Sequence, residues 1–131
     1  MTVMRSAQVY FGIVFAAGFV LGTLRVFFLA PMTGELVAVL LEVPVILAIS
    51  WWAAGVATRN RPHLATPSAR LNIGAIAFLG LMVAEASLAI ALGGTLAGFL
   101  EGLQTPAGLA GLAGQLLFAL FPWLRLKLQS Q

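Results

Sequence analysis

Four runs of about 20 apolar residues, parted by short breaks, leave this 131-residue chain few ways to fold in water. They cover about 8–30, 36–57, 71–92 and 106–124. At about 1.5 Å of rise per residue, a helix of that length crosses the roughly 30 Å hydrocarbon layer of a bilayer. In hydrocarbon every backbone N–H and C=O must be satisfied inside the protein, and a helix does so within one segment. The expected architecture is therefore an all-α integral membrane protein, a single domain over 1–131 built as a four-transmembrane-helix bundle. Composition agrees: 61% of residues are hydrophobic and 8% charged, against roughly 45–50% and 25% in soluble domains. The seven basic residues are dispersed, so no nucleic-acid surface is expected. Cysteine is absent, which excludes disulfides and thiolate chemistry.

The breaks have local signals. The first span is expected to stop at Pro31, with Met32 to Glu35 as a turn. The stretch from Thr58 to Arg70 is polar, basic and twice interrupted by proline, and reads as a loop. After Gly93 and Gly94, Thr95 is placed to cap a short surface helix between spans 3 and 4, running to about Gln104. Thr105 and Pro106 open the fourth span as N-cap and first helical residue. A cleaved signal peptide is the competing reading of the first run. That run exceeds the usual apolar core of about 7–15 residues, and Phe28-Leu29-Ala30-Pro31 is a poor cleavage site, which favours a permanent span.

Orientation follows from the positive charges. Arg5 precedes span 1, Arg59, Arg61 and Arg70 lie between spans 2 and 3, and Arg125 and Lys127 follow span 4. The other two connections carry only Glu35 and Glu101. Both termini are thus expected in the cytoplasm, in a bacterial-type inner membrane. Tyr10, Trp51, Trp52 and Trp123 fall toward the same side, as an aromatic belt would.

With that topology, depth can be compared between spans. Arg25 and Glu42 come out about 8–9 Å inside the outer ends of spans 1 and 2, and Glu85 and Gln115 about 12 Å inside those of spans 3 and 4. Each span contributes one polar group to a common layer. An ionised residue facing lipid near a helix centre costs about 2.5–3.5 kcal/mol, so Arg25, Glu42, Glu85 and Gln115 are expected to turn inward as a cluster. Gly18 and Gly22 lie beside Arg25, and Gly108 and Gly111 beside Gln115, in stripes that permit close helix approach. Glu35 and Glu42 share one face, and Pro44 leaves the carbonyl of Leu40 free to join the cluster. Such a cluster can set helix register, bind a ligand or partner, or carry protons or ions. Counting Arg25 against Glu42 and Glu85 leaves one negative charge, to be met by a proton, a cation or a partner's positive group.

No motif specifies a cofactor or a metal. His63 sits in the basic loop with no acidic neighbour, and Ser50 and Ser87 have no histidine in their spans. Glu42-Val43-Pro44 is similar to the acidic-then-proline second span of the glutathione-dependent membrane enzymes of eicosanoid metabolism. The asparagine and paired arginines that accompany it there are missing here, so no activity is carried over and an enzyme is the weakest reading. The leading expectation is a non-catalytic accessory or scaffold subunit, or a small binding protein, packed against other membrane subunits or copies of itself. The alternative is an oligomeric proton-coupled small transporter using Glu42 and Glu85. A topology reporter fused after Gln131 or inserted near His63 is expected to read cytoplasmic, and one near Gly34 external; a periplasmic signal at either of the first two sites would overturn the orientation.

Overall fold

The computed structural model describes residues 2–129; Met1, Ser130 and Gln131, at the ends of the expected domain, lie outside them. The described chain is helical without strands, and four of its helices are long and apolar enough to cross a membrane. The first is a rod over Val3–Thr33, composed of α1 (Val3–Leu24), a π turn (Arg25–Leu29) and α2 (Ala30–Thr33). Then follow α3 (Glu35–Thr58), a 3-10 turn (Pro62–Leu64), α4 (Pro67–Ala91), the short α5 (Leu96–Gly102) and α6 (Pro106–Gln129).

The boundaries differ from the sequence reading where proline and threonine act in ways periodicity does not register. Pro31 does not end the first rod. Its missing N–H is accommodated by the π turn just before it, in which the Ala30 N–H reaches back to the Arg25 carbonyl, and helix resumes to Thr33. The turn shrinks to Gly34 alone, whose φ of 87° is open to glycine and strained for other residues. Helix α4 begins at Pro67 rather than near Leu71, because the Thr66 hydroxyl accepts from the Ala69 N–H at 3.1 Å and proline suits the first helical position. Thr95 and Thr105 cap α5 and α6 as expected, through Gly98 N–H and Gly108 N–H, each at 3.0 Å. Helix α6 runs on through Pro122 to Gln129.

Helix α1 packs on α3 and α4, and α6 packs on the same two, so α1 and α6 face each other across the diagonal of a four-helix ring. The contiguous core lies at the end that holds the termini and the 59–66 connection. It is made of Ala7, Tyr10 and Val14 from α1, Ala53, Ala54 and Ala57 from α3, Leu64, then Ile73, Ala77 and Leu81 from α4 and Phe118 from α6. The many alanines bring the backbones close, and Tyr10 and Phe118 stack across the diagonal with ring centres 4.4 Å apart. Tyr10 is fully buried, so it belongs to this core and not to an interfacial belt.

Backbone approach is tightest at Gly74, where a Cβ would lie 1.7 Å from the Ala119 carbonyl oxygen. Gly12, by contrast, has nothing within 4 Å of such a Cβ. Gly74→Leu is therefore expected to lower the thermal stability of the detergent-solubilised protein by more than about 1–3 kcal/mol, the usual cost of overpacking, because backbone rather than a pliable side chain must move. Gly12→Ala should leave the melting temperature unchanged or raise it slightly. Equal melting temperatures for the two variants would refute the close α4–α6 approach.

Candidate functional site

Two polar groupings stand at opposite halves of the bundle. In the half away from the termini, the Arg25 Nε donates to Glu42 Oε2 at 2.6 Å and its Nη1 to Glu35 Oε1 at 2.5 Å. Arg25 lies at the start of the π turn, Glu35 opens α3, and Glu42 follows two turns later on the same face. The arginine and Glu42 side chains are about one fifth exposed, whereas Glu35 is over half exposed at the rim. From the other two long helices, the Gln115 Nε2 donates to both oxygens of Glu85 at 2.8 Å.

The four expected cluster residues thus meet as two pairs, one bridging the π turn of the first rod and α3, the other α4 and α6. The pairs adjoin through their neighbours: Val43, next to Glu42, packs against Gly114, next to Gln115, with its Cγ1 3.3 Å from a Cβ built there. Charge is distributed differently from the simple count. Arg25 is shared by Glu42 and Glu35, so one arginine faces three carboxylates, and Glu85 has an amide but no cation as its direct partner. Gln115 Oε1 is buried and accepts no hydrogen bond from the described residues. The Leu40 carbonyl released by Pro44 does not join: Leu40 is half exposed, and no described side chain donates to that oxygen.

The expected packing glycines are distributed unevenly. A Cβ on Gly18 would meet only Ile46 at 3.9 Å, one on Gly22 only Arg25 Nη2 at 3.7 Å, and one on Gly111 nothing within 4 Å. Gly108 is tight, but against the end of α5, where the Gly102 carbonyl oxygen would be 1.9 Å away. Elsewhere a Cβ would meet the Ala119 backbone at Gly74, the Val43 side chain at Gly114 and the Arg125 guanidinium at Gly55.

The second grouping escaped sequence reasoning. Pro122 cannot supply the N–H that the Phe118 carbonyl would take in an unbroken helix, and the Tyr10 hydroxyl donates to that oxygen instead at 2.5 Å. Arg70, only 3% exposed, donates from Nε to the Leu64 carbonyl and from Nη1 to the Pro122 carbonyl, both at 2.9 Å. Ser6 donates to the Ala57 carbonyl, and Arg125 to that of Trp51 at 3.1 Å while lying over the Trp51 ring. The available signal was the spacing of four between Phe118 and Pro122, the same rule that pointed to Leu40. Arg70, counted as a loop charge, is in fact a clamp between α4, the 3-10 turn and α6.

Among the described residues no three His, Asp or Glu side chains are grouped so as to hold a metal ion. No protein-family profile, curated protein or solved structure matches the chain.

The contrast between the groupings sets up a stability test. Removing Arg25 would leave Glu42 partly buried and unpaired, a change that costs about 3–5 kcal/mol when the pair is fully buried. Arg25→Ala is expected to lower the melting temperature in detergent clearly more than Arg61→Ala, whose guanidinium donates to the Arg59 carbonyl in the exposed connection. Equal melting temperatures would mean that the Arg25 bridges contribute nothing to stability.

Proposed function

We propose that the chain is an integral membrane protein of a bacterial-type inner membrane, with four spans and both termini cytoplasmic, and that it acts without catalysis as an accessory or scaffold subunit or a small binding protein. The orientation is supported by charge. Arg5, Arg59, Arg61, Arg70, Arg125 and Lys127 all belong to the end of the bundle that carries the termini, and the four glutamates belong to the other half. In a bilayer that asymmetry favours the basic end inside.

The observation that carries the non-catalytic reading is the use made of the polar side chains at the basic end. Ser6, Tyr10 and Arg70 donate to backbone carbonyls of other elements, and Ser50 and Thr58 to carbonyls one turn back in their own helix, all around an alanine-rich core. The first three hold elements together, and groups committed in this way offer no train of sites along which a solute or proton would step. The opposite half has open glycine faces at Gly18, Gly22 and Gly111 and large exposed side chains such as Phe19, Val20 and Leu109. Surfaces of that kind suit close packing against neighbouring helices, whether of other subunits or of a second copy.

A proton-coupled transporter is the second reading, favoured by one observation: Glu85 has no cation beside it, and the neighbouring Gln115 Oε1 lacks a donor. The two readings part in reconstituted vesicles under an imposed pH gradient. The scaffold reading expects no flux from wild type and none from Glu85→Gln, together with cross-links to neighbouring chains in native membranes from a photoreactive residue at Val20 and none from one at Tyr10. Gradient-dependent uptake by the purified wild type, abolished in Glu85→Gln, would overturn it.

A further inference from the structure

Six cationic side chains stand at the end of the bundle that holds the termini, and no acidic side chain of the sequence stands with them. The fold gathers them. The Ser6 hydroxyl, donating to the Ala57 carbonyl, joins the first turns of α1 to the last turn of α3, so that Arg5 and Arg59 flank one contact. Arg70 ties the 3-10 turn that follows Arg61 to α6, which carries Arg125 and Lys127. Packed helices lie about 8–10 Å apart, close to the screening length of about 8 Å at physiological salt, so neighbouring charges at this end add.

Nothing described in the chain neutralises them. The two ion pairs among the described residues both belong to Arg25, in the other half. Arg70 donates to the Leu64 and Pro122 carbonyls, and Arg125 to that of Trp51, whose ring lies 5.0 Å from the guanidinium. The buried Arg125 Nε donates to no described residue. Arg61 donates to the Arg59 carbonyl, Lys127 lies 5.0 Å over the Trp123 ring, and Arg5 and Arg59 are exposed. Carbonyl and ring partners orient a cation and leave its net charge in place. Two indoles mark what surrounds this end. Trp52 is 58% exposed on α3, two turns before Arg59, and Trp123 precedes Lys127 by one turn on α6. At 1.5 Å per residue the rings lie about 6–10 Å deeper than the cations, the order in which a bilayer presents phosphate and then the interfacial level that indoles prefer.

From this arrangement we infer that the basic end of the bundle is a binding surface for anionic phospholipid, whose headgroup phosphates supply the countercharge that the chain lacks. Arg5, Arg59, Arg61 and Lys127 meet the headgroups, while Arg70 and Arg125, held on carbonyls, contribute through their field. A zwitterionic phospholipid is a poorer partner, because its ammonium group brings positive charge to a surface that already has an excess.

The inference rests on the membrane reading, which the topology reporters test separately. Binding is measured on the purified full chain in neutral detergent, by thermal shift and native mass spectrometry, with dioctanoyl phosphatidylglycerol and dioctanoyl phosphatidylcholine as matched probes. Saturable binding of the phosphatidylglycerol is expected, at least about tenfold tighter than that of the phosphatidylcholine and weakening as sodium chloride is raised from about 0.05 to 0.5 M. Combining Arg5→Gln, Arg59→Gln and Arg61→Gln should weaken it at least tenfold while the melting temperature without lipid stays the same. Glu101→Gln, at the exposed opposite end, should leave it unchanged. Correct topology with equal binding of the two lipids, binding indifferent to salt, or an unaltered affinity in the triple variant would each overturn the lipid assignment and leave the membrane reading standing. Equal stabilisation by inorganic phosphate, or by a glutamate decapeptide, at the same concentration would overturn it too, in favour of a free anion or an acidic protein segment.

Discussion

A helix that contains proline gives up one amide donor, and the carbonyl four residues earlier must find another or remain unsatisfied. At Phe118 that vacancy is filled from across the bundle by the Tyr10 hydroxyl, and the carbonyl of Pro122 itself is taken by Arg70. These bonds tie α1, α4 and the 3-10 turn to one short stretch of α6. In an apolar medium the alternative is a bare polar atom costing several kcal/mol, so the bonds fix relative depth more firmly than apolar packing alone. Once depth is fixed, alanines at 53, 54, 57 and 77 and glycine at 74 let the four backbones approach, and the core closes around Tyr10 and Phe118.

The other half is organised by the same chemistry with a different outcome. Pro31 is absorbed by a π turn and Pro44 by an exposed stretch of α3, and neither released carbonyl is answered by a side chain from another helix. Charged groups take over instead, in two bridges of adjacent helices. Arg25 holds the rod to the first two turns of α3, and Gln115 holds α6 to Glu85 of α4. In this half a Cβ built on Gly18, Gly22 or Gly111 would meet no backbone of another helix within 4 Å. One half of the molecule is thus tied by bonds from side chains to the backbone of other elements, and the other by bonds between side chains.

Much of the fold was legible. Thr95 and Thr105 announced α5 and α6 because capping is local chemistry, and the same threonine-proline pair at Thr66 and Pro67 carried the start of α4 for anyone applying that rule twice. Glu35 and Glu42, seven apart, do share the face that meets Arg25. Arg70 was misread because a charge next to a loop looks solvated in one dimension. Only the folded neighbours show that two backbone carbonyls surround it.

The sequence by itself determined the four long apolar helices, their order and the level along the bundle at which Arg25, Glu42, Glu85 and Gln115 lie, since rise along a helix is proportional to residue number. It also marked which carbonyls proline would release. Which donor each would receive was decided by tertiary structure alone, because the answer depends on rotation of each helix about its axis and on ring order in the bundle. Hence Phe118 found Tyr10, Leu40 found nothing, and Arg25 was divided between two carboxylates while Glu85 was left to an amide.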